Sequence, residues 1–152
     1  MKLVYDIDAF REQVRLAENE LLARIMKGVQ LAAAEIEQEA VDRCPVGDHE
    51  GADTVPLAQS ITTTIDVTDY IGAKVVGVVG TGLDYAVYVH EGTGIESRTG
   101  MGRTHDLPWS YQDDMGNWHT TSGMHPNPFM EDAFNAKSAS ADEIVKRTVL
   151  GR

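Results

Sequence analysis

A chain of 152 residues with 42% hydrophobic content is long enough to bury a core as one domain. Its 13 basic against 24 acidic residues give a net charge of −11, which opposes tight binding to phosphate backbones. A single cysteine, Cys44, excludes an intrachain disulfide, and no apolar run approaches the ~18 residues of a membrane span.

The opening, MKLVYDIDAF, lacks a signal-peptide core, so a non-secreted protein in a reducing compartment is expected. From Asp8 to Arg43 the spacing predicts one long helix. Phe10, Val14, Ala17, Leu21, Ile25, Val29, Ala32 and Ile36 recur at intervals of three and four, while Arg11, Arg15, Glu18, Arg24, Lys27, Glu35 and Glu39 occupy the other face. Asp6 or Asp8 can cap its start, and Pro45 stops it. Such a helix spans roughly 54 Å, longer than a domain of this size needs. Part of its apolar stripe is therefore expected to pack on something else, another subunit being the natural choice. Cys44 reads as a small buried apolar residue near the helix end.

Residues 45–56 form a loop by their prolines, glycines and acids. LAQSITTTIDVTDY alternates at Ile61, Thr63, Ile65 and Val67, which predicts a half-buried strand. AKVVGVVGTG predicts a second, antiparallel to the first across a short turn. Tyr85 to His90 fits either a short strand or a helical turn. Residues 94–108 read as a flexible, glycine-rich connector that orders when a neighbour docks. LPWSYQDDMGNWHTT predicts a hairpin with Trp109 and Tyr111 on one strand, Trp118 and Thr120 on the other, and Asp113 and Asp114 in the turn. In the last helix Asn127 is a fitting cap and Pro128 a fitting first residue. Glu131 and Asp132 suit its positive end, and Phe129, Ala133, Ala136, Ile144 and Val149 supply a buried face. Consecutive antiparallel strands between two helices predict an α+β fold: a long N-terminal helix and a C-terminal helix on a small antiparallel sheet, with an extended hairpin arm, as one domain over 1–152.

Motifs for chemistry are weak. YAVYVHEGTG starts like the zinc-protease pattern H-E-x-x-H, but the second histidine position is Gly94, and two glycines disfavour the helix that the pattern needs. His49, His105, His119 and His125 fall in loops or the hairpin. No G-x-S-x-G elbow occurs, and GTGIESRTGMGR lacks the lysine and the strand–loop–helix context of a phosphate cradle. Nothing in the residues needs catalysis, a metal or a cofactor to explain it; a small metal-dependent hydrolase is the rival reading.

Three ordered segments carry a resemblance. The first is CPVGDHEGADTVPLAQSI, with Pro45, Thr54, Leu57, Ser60 and Ile61. The second is YAVYVHEGTG, with Tyr85, Ala86, Tyr88, Val89, Gly92 and Thr93. The third is YQDDMGNWHTTSGMHPNPFMEDAF, with Gly116, Trp118, Pro126, Pro128, Phe129 and Ala133. In that order, over about residues 10–140, the chain resembles the tail-component family of long-tailed bacteriophages, the tail-completion or head–tail joining proteins of the neck. Departures are Val55 in place of a glycine, a longer loop after Val46, His90 in place of a glutamate, and Glu91 in place of an aromatic residue.

The resemblance implies a non-enzymatic virion protein, assembled in the host cytoplasm into a homo-oligomeric ring where tail meets head. Its partners would be neck and tail proteins: connector or head-closure protein, tail terminator and tail tube. Tail terminator or head closure are alternative roles. Genomic DNA would pass through the lumen without specific binding, and no membrane is involved. Candidate interface residues are Trp109, Tyr111, Trp118, Arg98 and Arg103. On this reading Tyr85, Tyr88 and Val89 pack the YAVYVHEGTG segment, Gly92 permits a sharp exit, and Thr93 ties it down. Residues 45–126 carry 3 basic and 11 acidic groups, so an acidic lumen is expected.

Overall fold

The computed structural model describes residues 6–45, 57–68, 74–100, 107–112 and 115–151. The element order is α1 (Ile7–Arg43), α2 (Leu57–Ser60), β1 (Ile61–Thr68), β2 (Lys74–Thr81), α3 (Ala86–Glu91), a 3-10 turn (Gly94–Glu96), β3 (Trp109–Gln112), β4 (Trp118–Thr121) and α4 (Phe129–Leu150). This is an α+β fold with two separate two-stranded antiparallel sheets, β1–β2 and β3–β4. No helix among the described residues is long and apolar enough to cross a membrane.

α1 forms over 37 residues because apolar positions repeat at helical spacing and its ends are marked chemically. The Asp6 carboxylate accepts from the backbone N–H of Asp8 and Ala9, both at 3.0 Å, so Asp6 is the cap. Surface pairs at three- and four-residue spacing run along the helix: Glu12–Arg15 at 2.7 Å, Glu20–Arg24 at 2.5 Å and Glu39–Arg43 at 2.7 Å. Each such pair adds about 0.3–0.5 kcal/mol. The helix ends ahead of Pro45, which disfavours the helical region for the residue before it.

By contacts the chain forms two compact units. The first contains Met1–Ile36, Thr63–Val79 and Lys137–Arg152; the second contains Glu37–Thr62 and Gly80–Ala136. In the first unit, α4 approaches α1 so closely that a side-chain carbon on Gly28 would lie 3.2 Å from the Val145 Cα. β2 lies on α1 at Gly77, where a Cβ would come within 3.0 Å of Val29 Cγ1 and 3.3 Å of Ala33 Cβ. Ser140 donates a 3.0 Å hydrogen bond to Glu35, joining α4 to α1. The second unit holds most of the core: Ala40, Cys44, Leu57, Ile61, Ala86, Phe129 and Ala133 are buried there, whereas the first unit buries only Ala32 and Ala33 among the described apolar residues.

Several expectations change. Leu57–Ser60 is a helical turn, so the first strand starts only at Ile61. Along that strand Ile61, Thr63 and Ile65 face inward, and Val67 is exposed where the sheet outruns its cover. α4 starts at Phe129, and the Pro128 carbonyl accepts the first helical bond from Asp132 N–H at 2.9 Å; Pro128 thus stands one position earlier than expected. Phe129 and Ala133 are buried, but Ala136, one turn further along the same helix face, is exposed, so the buried face of α4 is shorter than expected there. Cys44 is buried as expected, and burial pushes its thiol pKa up.

Phe129, 1% exposed, is the largest fully buried side chain. Phe129→Ala is expected to lower unfolding free energy by about 3–5 kcal/mol. Leu16→Ser, at a position 56% exposed, is expected to change it by less than about 0.5 kcal/mol. Urea denaturation of the two variants checks the contrast.

Candidate functional site

The segment that resembles the family most densely, residues 85–98, folds as α3, a sharp exit and a 3-10 turn. The helical choice settles which side chains point inward. Ala86, Val89 and His90 share one face, while Tyr85 and Tyr88 lie on the other and are 38% and 44% exposed. The expectation that both tyrosines pack this segment is therefore corrected; buried Ala86 and half-buried His90 do so. His90 sets its ring edge-on to Phe129 at 5.7 Å, and its Nδ1 lies 2.8 Å from the Glu91 carboxylate.

Gly92 leaves the helix at φ +73, as its role in the exit requires. The following residues cross the 121–127 segment backbone to backbone. Thr93 N–H donates to the Met124 carbonyl at 2.9 Å, Met124 N–H to the Thr93 carbonyl at 3.3 Å, and Ile95 N–H to the Ser122 carbonyl at 3.0 Å. The Thr93 hydroxyl also accepts from Met124 N–H at 3.0 Å, so Thr93 does tie the segment down. The crossing is tight at two glycines. A Cβ on Gly94 would sit 2.0 Å from the Ser122 carbonyl oxygen, and one on Gly123 2.0 Å from that of Thr93. Asn127 N–H reaches the Val89 carbonyl at 3.0 Å, and Arg98 N–H the Glu91 carbonyl at 2.9 Å.

Arg98 then turns its guanidinium onto Glu131 of α4 at 3.0 Å, and Glu131's hydrogen bond and charge raise its pKa further. Arg98 thus serves an internal clasp, a partner that sequence reasoning missed because 33 residues separate the pair. Ile95 to Arg98 belong to this stitched region and not to a loose connector; Arg103 and His105 lie outside the described residues, as do His49, Thr54, Asp113 and Asp114.

The hairpin forms as expected, and its register is Trp109↔Thr121, Ser110↔Thr120, Tyr111↔His119 and Gln112↔Trp118. Ser110 and Thr120 hydroxyls bond across it at 2.9 Å, and the Gln112 amide closes the turn on the Gly116 carbonyl at 2.8 Å. Alternation divides the aromatics. Trp109 and Tyr111 share one face, with Tyr111 stacked on His119 at 5.3 Å, while Trp118 stands on the other face and is 72% exposed. The hairpin therefore offers two aromatic faces.

The remaining family positions are structural. Leu57 and Ile61 are buried, and Pro45 is exposed at the end of α1. Ser60 donates to the Leu57 carbonyl at 2.7 Å and lies 2.6 Å from the Thr81 hydroxyl. Since its one proton is committed to Leu57, Thr81 is the donor between them. An open groove of about 440 Å3 lies beside this pair, lined by Leu83, Val87, Phe129 and Met130, with Asp84 and His90 as its titratable groups. Among the described residues no three histidine, cysteine or carboxylate side chains converge as a metal-ligand set. No family model, curated protein or solved structure matches the chain.

Gly94→Ala and Gly123→Ala should each destabilise by about 2–4 kcal/mol, because the added carbon must displace a backbone carbonyl. Gly100→Ala meets nothing within 4 Å at φ +76 and should cost only about 1 kcal/mol. Chemical denaturation of the three variants checks the ranking.

Proposed function

We propose that the chain is a structural protein of the neck of a long-tailed bacteriophage, forming a ring that completes the tail or joins it to the head. The observation that carries this reading is the exposure of α1 from Ile7 to Leu21, where Ile7, Val14, Leu16 and Leu21 are 58%, 39%, 56% and 48% exposed. Apolar surface of that extent marks a contact with another macromolecule.

Exposed aromatics on the hairpin supply a second surface, in the other compact unit. Head-to-tail ring closure needs two different surfaces on each copy, and the chain has them. The second unit also carries stitched elements: the Thr93–Met124 crossing, the Arg98–Glu131 clasp and the Ser60–Thr81 pair. Two of them, through Ser60 and Thr93, use positions that carry the resemblance, and their hydrogen bonds hold backbone in place, which suits a scaffold. The acidic middle of the sequence suits a lumen that lets DNA slide past.

Electron microscopy of phage particles assembled with and without the protein tests the reading. Without it, filled heads and finished tails should remain unjoined, or tails should attach unstably. Normal infectious particles without it would refute the assignment. Stoichiometric zinc in the purified protein, lost on His90→Ala, would instead favour the metal-dependent hydrolase.

A further inference from the structure

The exposed half of α1 has the spacing of a coiled-coil seam. Ile7, Phe10, Val14, Ala17 and Leu21 are three and four residues apart in strict alternation, and each is exposed. A seam of period 3.5 fits a second helix better than a sheet. Charge identifies that helix. Residues 1–27 carry five basic and five acidic groups, whereas residues 28–126 carry four and fifteen. Copies that meet through this segment join neutral surfaces and hold their acidic middles apart.

We propose that two copies of the free protein pair through the N-terminal halves of α1, side by side and antiparallel. Phe10 then packs against Leu21 of the second copy, and Val14 against its Ala17. The residues flanking the seam select this register. Arg11 faces Glu18 of the second copy, Asp6 faces its Lys27, and Gln13 faces its Glu20; twofold symmetry repeats each pair. Sliding by one heptad in one direction sets Arg11 against Arg11 and Asp6 against Glu20. Sliding the other way sets Glu18 against Glu18 and Glu20 against Glu20. A parallel pair places Arg24 against Arg24 in the seam and retains only Asp6 facing Arg11. One arrangement therefore avoids every like-charge contact along the seam.

The pairing is a property of the free protein and stands independently of the neck reading. It covers the apolar stripe of the free chain.

Sedimentation equilibrium of the purified full chain at low salt, over a wide concentration range, tests the proposal. The expected result is a monomer–dimer equilibrium abolished by Val14→Glu with Leu21→Glu. Arg11→Glu alone and Glu18→Arg alone should each weaken pairing about tenfold, and the double reversal should restore it. The reversals leave every apolar contact of the seam in place, so restoration reads pairing and not folding. A monomer at all concentrations would overturn the proposal. So would association indifferent to the seam variants, or a double reversal no tighter than either single one.

Discussion

Among the described residues, the first helix carries more apolar surface than the rest of the chain covers. From Gly28 onward the stripe is met by α4 and β2, with Ala32 and Ala33 buried; before Gly28 no position on the helix is buried. At 1.5 Å per residue the uncovered turns extend roughly 30 Å. An isolated, solvated helix of that length is marginal in water, so its apolar residues gain most when another protein surface removes them from solvent. The proposals of a ring and of a paired free state both follow from this one imbalance.

The second unit behaves differently. Its core is small in residue count but is bolted by backbone hydrogen bonds at points where a side chain would not fit. The Gly94–Gly123 crossing fixes α3 against the 121–127 segment, and Arg98 clasps the start of α4. Fixed elements of this kind hold an exposed hairpin ready at low entropic cost on binding. The His90–Glu91 pair belongs to the same design: it caps a packed face beside Phe129.

Where local physics decides, the sequence was legible. Period-3.6 and period-2 patterns placed α1, β1, β2, the hairpin and α4 to within a few residues, and Asp6 and Pro45 mark the ends of α1. Leu57–Ser60 was misread because four residues of helix carry no period of their own. Tyr85 to His90 was ambiguous for the same reason, and its tyrosines turned outward once the segment became helical. The Arg98–Glu131 clasp and the Gly94–Gly123 crossing join residues about thirty apart, and no spacing rule reaches that far. Two glycines on either side of Thr93 and one after Ser122 were the only trace of the crossing.

The central claim is that contacts between protein molecules cover the N-terminal half of α1. Amide hydrogen exchange resolved along the chain addresses it directly. The account predicts slow exchange over residues 7–21 in concentrated or assembled protein that becomes fast on dilution, with residues 86–91 unchanged throughout. Exchange over residues 7–21 that is the same at every concentration, whether fast or slow, would contradict it.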